Sequence, residues 1–227
     1  MILASKVKID LGFADLYCRK SDARTISRKA RDAYLRNKRI FRKDIGKFMI
    51  VIAYSRGEMD IQWGSKTEDW LVACANKERI ALFPDRLIKK FKGTEYRKGL
   101  MEKYLFHEIN HMFFYDLAQC KEPLWLLEGF VSQFDGYILP NRDKELLKGS
   151  LPHLAYSASG KEFFKQARYF YPMGYLAVRH LMKEHGKRKV LALIRSLRTH
   201  PTEKGFGTAF RKTFGYSVKE LEWRVFD

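Results

Sequence analysis

Residues 104–117, YLFHEINHMFFYDL, set His107, Glu108 and His111 inside an otherwise aromatic and aliphatic run. A stretch this apolar has to pack against something, and each polar group left unsatisfied there costs about 1–3 kcal/mol. The fold is thereby constrained twice. The segment must form a buried element, and that element must bring its polar groups to a place where they satisfy one another or a bound group satisfies them. An α-helix does this. His107 and His111 are four residues apart, about 400° of rotation and ~6 Å of rise, so both imidazoles leave the same face.

His107-Glu108-Ile109-Asn110-His111 is the pattern HExxH. Its two imidazoles can share a tetrahedral Zn²⁺. Glu108, about 100° round the helix, can reach a water on such an ion without ligating it, which is where a general base belongs. A catalytic zinc needs a third protein ligand. The extension xxGxxH requires glycine at position 114 and histidine at 117, but Phe114 and Leu117 stand there, and no histidine lies between His111 and His153. The carboxylates in range are Asp116, Glu122, Glu128 and Asp135.

Glu128 stands out among them, within EPLWLLEGFVSQF. Pro123 can open a helix, where its missing N–H is no loss. Leu124, Leu127, Val131 and Phe134 give that helix an apolar stripe to pack on the preceding one. Glu128 then emerges on the packed side, where an acid is costly without a cation, and Gly129 lets the helices approach closely. The expected ligand set is His107, His111 and Glu128. The remaining histidines, His153, His180, His185 and His200, lack ligand spacing and are read as ordinary residues.

Along the chain three textures succeed one another, without repeats or a Pro/Gly/Ser linker. Residues 1–47 are basic and mostly helical, with a strand signal at KVKIDLGF. Residues 48–93 hold short apolar, β-branched runs, FMIVIAYS, WLVACA and RIALFP, that predict strands. From residue 94 onward helical periodicity dominates, with Gly186 and Gly215 placed as C-terminal stops and Thr202 and Ser217 as N-caps. The prediction is an α+β chain: one domain, 1–227, with a small N-terminal sheet lobe carrying a helix (1–93) and a mainly helical C-terminal lobe (94–227).

The charge is lopsided. Lys and Arg number 44 against 26 Asp and Glu, a net +18. Residues 19–47 hold 12 basic and 3 acidic residues and thus half the excess. Within them Arg24, Arg28, Arg31 and Lys38 recur near helical spacing opposite Ile26, Ala30, Ala33, Tyr34 and Ile40, the pattern of an amphipathic helix with a basic outer face. Such a face suits a nucleic acid or an acidic partner, although no helix-turn-helix or zinc-finger signature accompanies it. The apolar start before Lys6 is too short for a signal peptide, and no run approaches about 18 apolar residues. The chain reads as cytoplasmic, with no membrane contact. Cys18, Cys74 and Cys120 are odd in number and far apart, so free buried thiols are expected rather than disulfides or a thiolate zinc site.

HEINH followed by the W-L-L-E-G-F of residues 125–130 resembles the gluzincin metallopeptidases, the peptidase MA-like group related to the thermolysin and M1 aminopeptidase families. YFYPMGYLAVRHLMKEHG resembles that group's Y-x-x-G helix, with Tyr171 and Gly174 in the motif positions, and the last helices resemble its helical tail. The resemblance spans residues 48–227. It implies a zincin-like fold with the active-site cleft between the two lobes, Zn²⁺ on His107, His111 and Glu128, and Glu108 as base and proton shuttle. It also implies that Tyr171 donates a hydrogen bond to the oxyanion, with Tyr169 and Tyr175 as neighbours able to hold that role. The substrate is a peptide or protein, and RIALFP (79–84) is the implied edge strand that pairs with it. Two departures stand out. Ser132 occupies a position where thermolysin-like relatives carry a carboxylate that orients a ligand histidine, leaving Asp135 or a backbone carbonyl for that task. GEMD (57–60), read as a turn, lacks the amine-gripping segment of aminopeptidases, so an endopeptidase is implied. The other class of function open to the chain is a nucleic-acid-associated or regulatory protein whose zinc site is latent or structural.

Overall fold

A computed structural model of the chain describes residues 6–92, 97–139, 154 and 160–226. His153 lies outside the described residues, as does the beginning of the helical stretch expected from 94. The chain is of mixed α+β type, with a five-stranded sheet near its N-terminus and eight α-helices among the described residues. It divides into two compact units, Met1–Asp116 and Leu117–Asp227.

The first unit opens with a hairpin of β1 (Val7–Asp10) and β2 (Ala14–Cys18), paired antiparallel. The strand signal at KVKIDLGF is β1 and the turn after it, and β2 begins at the next residue, Ala14. Gly12 turns the chain with φ +85°, and its amide donates to Asp10 Oδ1 at 2.7 Å. After β2 the chain crosses over through α1 (Ala23–Phe41) to β3 (Phe48–Ile52), which lies parallel to β2. Helix α1 buries Ile26, Ala30, Ala33, Tyr34, Asn37 and Phe41, so Phe41 rather than Ile40 completes its inner stripe.

Helix α2 (Arg56–Trp63) follows, then β4 (Ala73–Ala75) and β5 (Arg79–Leu82). The segment GEMD, expected as a turn, lies inside α2. Ser55 caps that helix by accepting the Glu58 amide, and Glu58 Oε2 reaches back to the Tyr54 amide at 3.0 Å. This reciprocal pairing starts a helix. The sheet order is β1-β2-β3-β5-β4, with β3 and β5 parallel and β4 antiparallel to β5. Strand β5 is therefore interior, and the expectation of an edge strand at RIALFP is corrected: the edge is the three-residue β4. Helices α3 (Asp85–Lys92) and α4 (Leu100–Ala118) complete this part of the chain. Phe113 of α4 packs 5.2 Å from the rings of Tyr34 and Phe41, which fastens α4 to α1.

The second unit is helical: α5 (Leu124–Ser132), α6 (Gly160–Ser196), α7 (Glu203–Phe214) and α8 (Val218–Phe226). Gly186 interrupts α6 with φ +79° and ψ 152°, and Gly215 closes α7 at φ +88°. Thr202 caps α7 by accepting the Gly205 amide, while Ser217 and Glu220 form a capping box at the start of α8. Helix α5 is buried on every side from Trp125 to Ser132 rather than along one stripe. Its close neighbour is α6. A Cβ on Gly129 would stand 2.2 Å from the Gly174 carbonyl oxygen, and one on Gly174 would stand 2.4 Å from that of Trp125. Gly129 thus serves an approach to α6, where the sequence suggested the helix before it.

No helix of the described residues is long and apolar enough to cross a membrane. Cys18, Cys74 and Cys120 are free; the first two are buried and the third is half-buried.

Candidate metal centre

Helix α4 carries the HEINH sequence, and its packing sorts the five residues. Ile109 and Asn110 are fully buried, Glu108 and His111 are 6% and 5% exposed, and His107 is half-buried. The imidazole rings of His107 and His111 lie edge to face with centroids 4.6 Å apart. That is the co-facial placement expected of residues one helical turn apart.

Ligand atoms of His107, His111 and Glu128 all lie within 4.8 Å of one another. Among the described residues these three are the one cluster of His, Cys, Asp or Glu side chains with the spacing to hold a metal ion. The donor set of two imidazole nitrogens and one carboxylate oxygen is one that zinc accepts, with three protein donors leaving a position open. Donors at about 2.0–2.2 Å from a common ion lie within about 4.4 Å of each other, so the observed spread is on the scale of one ion. Glu128 is 8% exposed, buried among the apolar side chains of α5. The residues present fit a zinc ion.

Burial and the neighbouring Glu108 carboxylate together push the Cys74 thiol up to about 12. Cys74 is the central residue of β4. Val72 accepts the Phe83 amide at 3.0 Å and Asn76 donates to Arg79 at 2.9 Å. In this alternation Ala73 and Ala75 turn their N–H and C=O groups away from β5, toward the free edge.

Tyr171 and Tyr175 lie on α6, half-buried, one turn apart on either side of Gly174. The Tyr175 carbonyl accepts from Gln133 Nε2 at 2.9 Å, a further tie between α6 and the end of α5. Ser132 is 3% exposed. Asp135 Oδ1 accepts the Tyr137 amide at 2.8 Å. His185 meets the Tyr216 hydroxyl at 3.1 Å, and His200 meets Thr199 and the Ser196 carbonyl.

Sequence reasoning passed over one pair. Asn110, the second unspecified position of HExxH, donates through Nδ2 to Asn37 Oδ1 at 2.7 Å. Asn37 in turn donates to the carbonyls of Ala33 at 3.0 Å and Phe106 at 3.2 Å. Both asparagines are fully buried. They anchor α4 to α1 at the residue next to His107. The one signal in the sequence was the polar residue within the apolar face of α1.

No protein-family model matches the chain, and no curated protein matches it in sequence.

Proposed function

We propose that the chain is a zinc-dependent metallopeptidase of gluzincin type that cleaves internal peptide bonds of a peptide or protein substrate. The observation that carries this reading is the convergence of His107, His111 and Glu128 within 4.8 Å, with the buried Glu108 adjacent in the chain. A zinc ion held there supplies Lewis acidity, making a water more acidic and a carbonyl more electrophilic. A structural zinc normally takes four protein ligands, whereas three donors suit a catalytic one.

Glu108 accepts the proton of the attacking water on its carboxylate and returns it to the leaving amine. Its burial keeps that exchange away from bulk solvent. Tyr171 donates a hydrogen bond from its hydroxyl to the oxygen on which negative charge develops. An extended peptide adds to the outer edge of β4, where the backbone groups of Ala73 and Ala75 give it a ladder to pair with. The zincin-like architecture belongs to the same reading.

The test is cleavage of a denatured protein mixture by the zinc-loaded chain and by its Glu108→Gln variant, with new termini identified by mass spectrometry. The wild type should generate new termini, and the variant should lose at least about 10²-fold in rate while keeping one zinc per chain. Equal cleavage by the variant, or no new termini with the zinc-loaded wild type, contradicts the proposal.

A further inference from the structure

Helix α1 turns a cationic face outward. At about 100° per residue, Arg24, Arg28, Arg31 and Arg39 project within about 80° of one another, opposite the buried stripe that runs from Ile26 to Phe41. Arg42 prolongs the row past the end of the helix. Together these side chains span about 27 Å, at 1.5 Å of rise per residue. The single acid of α1 is Asp32.

Several acids of this unit pair with lysines. Lys29 pairs with Asp85, Lys38 with Asp44, Lys43 with Asp116, and Lys47 with Asp10 and Asp15. Among the described residues no carboxylate forms an ion pair with Arg24, Arg28, Arg39 or Arg42, and all four are exposed. Arg31 is exposed too, though one of its Nη atoms donates to the Leu11 carbonyl at 3.2 Å. On α1 itself the ion pairs engage Lys29 and Lys38 and leave the row of guanidinium groups without a carboxylate among the described residues. Arg42 occupies a left-handed backbone position, φ 56° and ψ 39°, that favours glycine by about 1–2 kcal/mol. A charged side chain stands there at some cost to the backbone.

We infer that this face of α1 docks on double-stranded nucleic acid, gripping its phosphate backbone. Over 27 Å a duplex presents about 16 negative charges, a linear anion matched to a linear row of cations. Guanidinium also suits phosphate geometrically, because it donates in parallel pairs. A lipid surface fits less well. An interfacial helix needs its apolar face for the bilayer, and that of α1 is spent in the core. Single strands are held largely by stacking on aromatic side chains, and the large apolar side chain exposed within the row is an aliphatic one, Leu35. This inference rests on the cation row alone and stands or falls independently of the metal site.

The full-length chain is titrated against labelled duplexes of about 24 base pairs, DNA and RNA, over about 50–200 mM salt. Parallel arms use a single strand of the same length, polyglutamate, and phosphatidylserine vesicles. Duplex binding is expected to weaken by about 10²-fold across that range. Replacing Arg24, Arg28, Arg39 and Arg42 by Gln should reduce the slope of log affinity against log salt by about 3–4. Removing the same number of charges from α6 and its end, as Lys183→Gln, Arg188→Gln, Arg195→Gln and Arg198→Gln, should leave affinity within about threefold, which separates the row from net charge. The single variant Arg28→Glu should also weaken duplex binding, with an unchanged circular dichroism spectrum. The inference is overturned by absent duplex binding, by equal losses in the two quadruple variants, or by tighter binding to single strands, polyglutamate or vesicles than to either duplex.

Discussion

Asn37 and Asn110 hold each other in an apolar interior, and their bond at 2.7 Å links two helices whose sequences lie 73 residues apart. Removing one partner strands the other. Asn37→Ala leaves the Asn110 amide and the Phe106 carbonyl short of a partner and should cost about 2–3 kcal/mol in urea-induced unfolding. Asn37→Ala combined with Asn110→Ala should cost clearly less than the sum of the two single changes, because the pair is lost once. Strictly additive costs would show that the bond does not couple the helices. This residue pair was illegible in the sequence for a physical reason. Helical periodicity fixes which residues share a face, but it does not say which distant polar group meets them. The histidines and Glu108 were legible because their spacing is local, within a single turn of one helix. Glu128 was legible only as a packed acid seventeen residues beyond His111, and the structure places it with both histidines.

Helices α5 and α6 meet backbone to backbone through Gly129 and Gly174. Each glycine sits where a methyl group would overlap a carbonyl of the other helix, so Gly129→Ala and Gly174→Ala should force the helices apart. Each should cost about 2–3 kcal/mol or more in thermal or denaturant unfolding, and a variant within about 0.5 kcal/mol of wild type would contradict the close approach. The sequence announced that Gly129 permits such an approach but not which helix makes it, since several apolar stripes were available. Strands show the same division. The β-branched runs at FMIVIAYS, WLVACA and RIALFP were recognisable as β3, β4 and β5. Their lateral order was not, because the short β4 closes the sheet beyond β5 and no local feature marks which strand is last. The turn expected at GEMD became a helix once Ser55 and Glu58 satisfied its first amides.

At the scale of the whole molecule, the sheet-forming segment followed by helices was readable from periodicity, and the basic face of α1 from charge spacing. The division of the chain at Asp116, near the end of α4, was not. The texture of the sequence changes near residue 94, yet α4 is bound to α1 through Phe113 and the asparagine pair, so the helix carrying HEINH stays with the sheet. The account as a whole rests on one claim, that His107, His111 and Glu128 hold one zinc ion. X-ray absorption at the zinc edge of the purified, zinc-loaded chain tests it most directly, with His111→Ala and Glu128→Ala measured alongside. The account predicts one zinc per chain, two imidazole ligands with first-shell N and O donors at about 2.0–2.2 Å, no sulfur near 2.3 Å, and loss of stoichiometric zinc in both variants. A sulfur shell, substoichiometric zinc in the wild type, or full retention of zinc by either variant would contradict it.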